Sequence, residues 1–355
     1  MKRLSGKNLM RTIQRQRGFS LVEIMVALTL SLILLAGVLA VMYSSKVTYN
    51  ENERVGRLQE NGRAAVEMIL RDLRGSGFPG CAQPIEDLLE LNNTLDNPTE
   101  VPWNFAESTF GFEGTGGAWT PALDADLFPN ATPDNDIIVV RTIPVGAPSM
   151  RVSAIVNPTD SISVTKAEGE TIEDGTPAII SDCANASVFV ASTFAAGGGD
   201  TTATISRATG GAAPTNATEN LGATFAPGAR VAPVTSIAYY VAPNEAGTGP
   251  ALWRVVSNGD PQELIPGVEA LQIRYGIAGA ADGVVVAEYV DADAVTDWSR
   301  VISVTLALLV RSADENSPTV DERVYELLET DVGPFDDNFQ RALFTTTVTL
   351  RNRTT

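Results

Sequence analysis

Glu23 is the single charged side chain in the apolar run from Phe19 to Tyr43, and no acidic residue precedes it. An ionised carboxylate in hydrocarbon costs about 2.5 kcal/mol or more, so one placed near the start of such a run calls for a cationic partner. Further along, Asp291-Ala292-Asp293 with Asp297 offers alternating carboxylates that can join backbone carbonyls around Ca²⁺. The segment lacks the glycine and terminal glutamate of an EF-hand, and the competing reading is a turn on an acidic face. Cys81 and Cys183 have no CxxC spacing. In an extracytoplasmic body they read as a disulfide, whose long loop would stabilise the fold by about 4 to 5 kcal/mol in the chain-entropy model; the alternative is two buried thiols.

Much other chemistry is excluded. The chain has no histidine, which removes Ser-His-Asp and Cys-His catalysis and histidine-ligated zinc. Carboxylate-pair chemistry survives in principle, but among 43 acidic residues most are simply solvated. Gly197-Gly198-Gly199 has no following lysine and is a loop, not a phosphate cradle. Trp103, Trp119, Trp253 and Trp298 read as core or edge packing. The formal net charge of −18 repels phosphate backbones, so no nucleic-acid partner is expected. Nothing in the sequence calls for a cofactor.

The elements that position Glu23 come first in the chain. Residues 19 to 43, as a helix rising 1.5 Å per residue, extend about 35 to 38 Å, enough to cross a bilayer core. Lys2, Arg3, Lys7, Arg11, Arg15 and Arg17 place the leader in the cytoplasm and the body outside. Three fates fit such a start: an uncleaved anchor, a secretory signal cut near Val38-Leu39-Ala40, or a leader cut before the apolar core. Beyond the span, Val55, Leu58, Ala65, Ile69 and Leu73 keep helical spacing to a stop at Gly75, Gly77 and Pro79. Gly56 and Gly62 are expected to weaken this stretch locally.

The remainder divides by pattern. Residues 78–230 are rich in Pro, Gly, Asn and Thr and read as a loop-rich insertion region, with short strand candidates at 137–141, 153–156, 161–166 and 187–191; Ala195 to Gly228 reads as exposed. Residues 231–355 show strand-like runs at 235–241, 252–257, 270–277, 284–289, 301–311, 323–330 and 343–350. The expected class is α+β: a long N-terminal helix packed on an antiparallel β-sheet head with a large loop-rich insertion. The organisation is a leader (1–18), a membrane-spanning part of the helix (19–43), its periplasmic continuation (44–77), the insertion region (78–230) and the sheet region (231–355).

Gly18-Phe19-Ser20-Leu21-Val22-Glu23, after a basic leader and before Ile24-Met25-Val26-Ala27-Leu28, resembles the class III signal of type IV prepilins. The resemblance implies cleavage by prepilin peptidase between Gly18 and Phe19, N-methylation of Phe19, and use of Glu23 in assembly. Both ends of the chain are similar to the large PilW-type minor pilins. The similar segments are Gly77-Phe78-Pro79-Gly80-Cys81, Leu252-Trp253-Arg254, Gly267-Val268-Glu269, Gln272 to Gly276, Asp297-Trp298 and Phe344 to Arg353. That likeness implies a structural subunit that primes pilus assembly. Its partners would be prepilin peptidase, other minor pilins and the major pilin, the inner membrane and a tip adhesin. A large pseudopilin of a type II secretion system shares the signal, and a signal-anchored periplasmic adhesin or binding protein is the alternative outside the class.

Overall fold

The computed structural model describes residues 18–77, 91–124, 126–182, 184–211, 214–257, 259–279, 285–350 and 352. Cys81 and Cys183 lie outside them, as do residues 1–17 of the leader. Two units result, Met1–Arg54 and Val55–Thr355, and one helix, Leu21–Gly75, contributes to both.

In the first unit the helix starts just after Phe19. Ser20 Oγ accepts from Glu23 N at 3.2 Å, and the Ser20 carbonyl accepts from Ile24 N. This satisfies N-terminal amides that have no partner inside the helix. The apolar side chains from Phe19 to Tyr43 are all exposed.

In the second unit the helical stripe is buried at Leu58, Gly62, Ala65, Ile69, Leu70 and Leu73. It packs against a four-stranded antiparallel sheet in the spatial order Val286–Val290, Val268–Ala278, Val301–Arg311 and Arg341–Thr349. Alternation decides the faces. Val304, Leu306, Leu308 and Val310 join the helix in one core, while Ala307 and Leu309 pack beneath the hairpin that carries Leu327 and Val332. Both faces of the Val301–Arg311 strand are thereby covered, which explains its continuous apolar sequence.

Gly62 has a role opposite to that expected of it. A Cβ there would clash with the ring edge of Phe344, on the Arg341–Thr349 strand. The glycine lets helix and sheet approach, so the propensity it gives up is offset by packing.

A six-stranded sheet runs Gln262–Pro266, Pro250–Val256, Thr235–Pro243, Ile137–Thr142, Thr109–Gly114 and Trp119–Thr120. It shares the helix core through Ile138, Val140, Tyr239 and Val241. Residues 134–136 tie it to the four-stranded sheet. Leu271 N donates to Asn135 Oδ1 at 2.7 Å, Ile273 N to Asp136 Oδ2 at 2.7 Å, and Asp136 N to the Leu271 carbonyl at 3.0 Å.

The central region holds more sheet than its composition suggests. Eight strands between Asn92 and Pro233 form one sheet around a separate core that includes Met150, Ile162, Val164, Ile180, Phe189 and Ile205. Within the stretch expected to be exposed, Leu221 and Phe225 are fully buried. Asn216 is buried too; its amide accepts from Val190 N at 2.7 Å and donates to the Val190 carbonyl at 2.9 Å, standing in for a neighbouring strand.

Candidate functional site

Within the apolar segment the Thr29 and Ser31 hydroxyls find partners on their own helix. Thr29 Oγ1 donates to the Val26 carbonyl and Ser31 Oγ to the Leu28 carbonyl, both at 2.9 Å. Backbone amides and carbonyls are satisfied by the helix itself, as a hydrocarbon environment demands. Ser20 is used as the cap. Glu23 is exposed, and among the described residues no hydrogen bond or ion pair engages its carboxylate. Its backbone is held in the first turn of the helix, where the exposed amides favour a negative charge.

Gly18 and Phe19 precede the helix, and both are exposed. The Gly18–Phe19 peptide is therefore exposed and outside regular structure. Phe19 stands one residue before the Ser20 cap, beyond the helix start.

The acidic segment takes a different form from a metal loop. Asp297 caps a short 3₁₀ turn, accepting from Ser299 N at 2.9 Å and Ser299 Oγ at 2.6 Å. Asp291 lies 3.1 Å from Arg274 Nε. Among the described residues no group of three or more Asp, Glu, His or Cys side chains is arranged to hold a metal, and Asp291, Asp293 and Asp297 are not brought together as one.

The same corner gathers the head's most perturbed carboxyls. Glu113 Oε2 accepts from Ala292 N at 3.3 Å, and its carboxyl is pushed up to about 7 by burial and then by the charge of Asp291. Asp136 is pushed up to about 8, again by burial first and by Glu113 second, although the amides of Gly114 and Ile273 pull the other way. Trp298 and Tyr275 close the cluster with ring centroids 4.8 Å apart. The amide contacts of Glu113 and Asp136, to Ala292, Gly114 and Ile273, are those of a buried junction.

Two family models match the chain. That for the prokaryotic N-terminal methylation motif covers residues 13–39, the segment around Gly18, Phe19 and Glu23. That for type IV pilus-assembly protein W covers residues 238–352, which hold all four strands of the sheet beneath the helix. Together the two matches support a PilW-type pilin. No curated protein and no solved structure matches it. A PilW-type pilin acts as a minor pilin in type IV pilus assembly, and pilin families are structural. The methylation motif implies processing by prepilin peptidase and assembly with other pilins. The long exposed apolar helix is suited to anchoring in a membrane.

The stretch from 92 to 233 lies outside both matches, although the structure gives it a sheet and core of its own. The cap at Asp297 and the Asn135-Asp136 tie were not visible as functional elements in the sequence. Both are Asn or Asp residues turned onto nearby backbone, a use that composition does not distinguish from solvated acids.

Proposed function

We propose that the chain is made as a prepilin, cut between Gly18 and Phe19, and N-methylated on Phe19. Residues 19 to 43 hold it in the inner membrane with the head in the periplasm. Glu23 then pairs with the Phe19 ammonium of a neighbouring subunit as the chain moves into the pilus or its priming complex. The head contributes bulk and contact surface, not catalysis.

One observation carries this reading: in a segment whose Thr29 and Ser31 hydroxyls bond to its own helix, Glu23 is the one charged side chain, and among the described residues nothing engages its carboxylate. A charge removed from water is tolerated when paired and costly when alone. Methylation keeps the Phe19 nitrogen cationic, so the ammonium is the complement that the carboxylate lacks. The pair would also fix the axial offset between adjacent helices, because each subunit presents one cation and one anion at set positions.

The test replaces Glu23 with alanine or glutamine in cells that make the pilus. Both variants should be cleaved and methylated normally, yet be recovered in the membrane and not in sheared pili or the priming complex. Incorporation equal to wild type would overturn the proposal.

A further inference from the structure

The sheet edges of the head are unequal. Asn92–Asn93 and Trp119–Thr120 are two residues long and Thr193–Ala196 is four. Gln262–Pro266 carries Glu263 and a proline and faces a bulge between Leu252 and Trp253. Val286–Val290 carries Glu288 and faces a register shift between Ile277 and Ala278. Short length, charge, proline and bulges are the devices by which proteins prevent strand addition.

Arg341–Thr349 has none of them. It is nine residues long, pairs without a register break with Val301–Arg311, and has one charged residue, Arg341, whose side chain is fully buried. Its hydrogen-bonding parity follows from its two ends. Ser312 N donates to the Gln340 carbonyl and Leu350 N to the Ile302 carbonyl, both at 2.8 Å. In an antiparallel pair successive residues alternate in direction, so even-numbered residues face the sheet. The amides and carbonyls of Arg341, Leu343, Thr345, Thr347 and Thr349 therefore face away from it. No described residue bonds to them. The side chains of Leu343, Thr345, Thr347 and Thr349 are exposed beside that edge.

We infer that Arg341–Thr349 is a docking edge that takes one extended strand from a neighbouring pilin subunit. The recognition is main-chain hydrogen bonding over about 30 Å, the length of nine strand residues. The exposed threonines and Leu343 select a neutral, β-branched segment, because in a body this acidic an uncharged edge neither attracts cations nor tolerates a facing charge well. A different pilin, and not a second copy, is the occupant. Among the described residues a second copy has no comparable strand to donate, because its other edges are short, charged or bulged, and pairing this edge with itself would close a twofold dimer. This rests on the proposed function, which puts the chain in the pilus or its priming complex.

The experiment uses the full-length chain in cells making the complete pilus set, with photoreactive benzoylphenylalanine at Thr345, at Thr347 or, as a control, at Leu32 in the apolar helix. Adducts between another pilin and positions 345 and 347 are expected. Thr345→Pro removes an amide that faces outward, so the purified variant should keep its thermal midpoint while the adduct from position 347 is lost. Thr346→Pro, which removes an inward amide, should unfold the edge. Pilin adducts at Leu32 with none, or only self-adducts, at 345 and 347 would overturn the docking edge and leave the proposed function standing. No adducts from any of the three positions would overturn both.

Discussion

Replacing Gly62 with alanine reverses a familiar expectation. In an exposed helix the change would add about 1 kcal/mol of stability, because glycine is that much poorer than alanine in a helix interior. Here the new methyl would clash with the edge of the Phe344 ring, and forcing a group into a packed contact costs about 1 to 3 kcal/mol. Phe344 is only half-buried and can give way in part, so the net change should be a loss of roughly 1 kcal/mol, or about 2 to 4 °C for a unit of this size. The decisive comparison is the same substitution beside Phe344→Ala. With the ring gone the clash disappears, and Gly62→Ala should then stabilise by up to about 1 kcal/mol. Thermal unfolding of the four full-length proteins in detergent reads the cycle. A stabilising Gly62→Ala in the wild-type background, or an equal effect in both backgrounds, would refute the close-approach argument.

Other consequences follow from the head. Glu113 and Asp136 have carboxyls raised above their unfolded values, so the stability they contribute is full below about pH 4 and is lost as pH rises through about 7 and 8; the thermal midpoint should fall between about pH 4 and 8, and Asp136→Asn should flatten that fall. An unchanged slope in Asp136→Asn would show that the junction does not titrate. Arg341 is fully buried against Glu269, Asp321 and Asp337 and stacks on Phe335 at 3.5 Å; removing it leaves carboxylates without their cation, so Arg341→Ala should cost about 3 to 5 kcal/mol by denaturant unfolding. Asp321 is held at about 2, burial working upward against the stronger pull of Arg323 and Tyr325. Its contribution is present above about pH 4 and lost as pH falls through 2, so Asp321→Asn should make unfolding less sensitive to acid over that range.

The sequence was most legible where one periodicity ran long. The helix was expected to Gly75 and ends there, and the Val301–Arg311 strand has the expected bounds. Glu23 stood out because a single charge in an apolar run has no background to hide in. The central sheet was harder to see. The strands Ile162–Thr165 and Ala186–Ala191 fall on expected runs, but Met150–Val152 is three residues long and shows only one alternation of apolar residues. One strand contains Pro177 at its second position, which composition reads as loop. Gly62 illustrates a different limit: propensity describes what a residue does to its own helix, while its value here lies in a ring 282 positions away in the chain. Asp291, Asp293 and Asp297 share a spacing that suits a cation, but Arg274 and the Ser299 amide, both outside that spacing, claim two of them.

The intact mass and N-terminal residue of the full-length protein, made with and without prepilin peptidase, test the account most directly. It predicts a chain beginning at N-methylated Phe19 only when the peptidase is present, and the full precursor when it is absent. A chain that stays uncleaved with the peptidase, or one that begins near Val41, would contradict it.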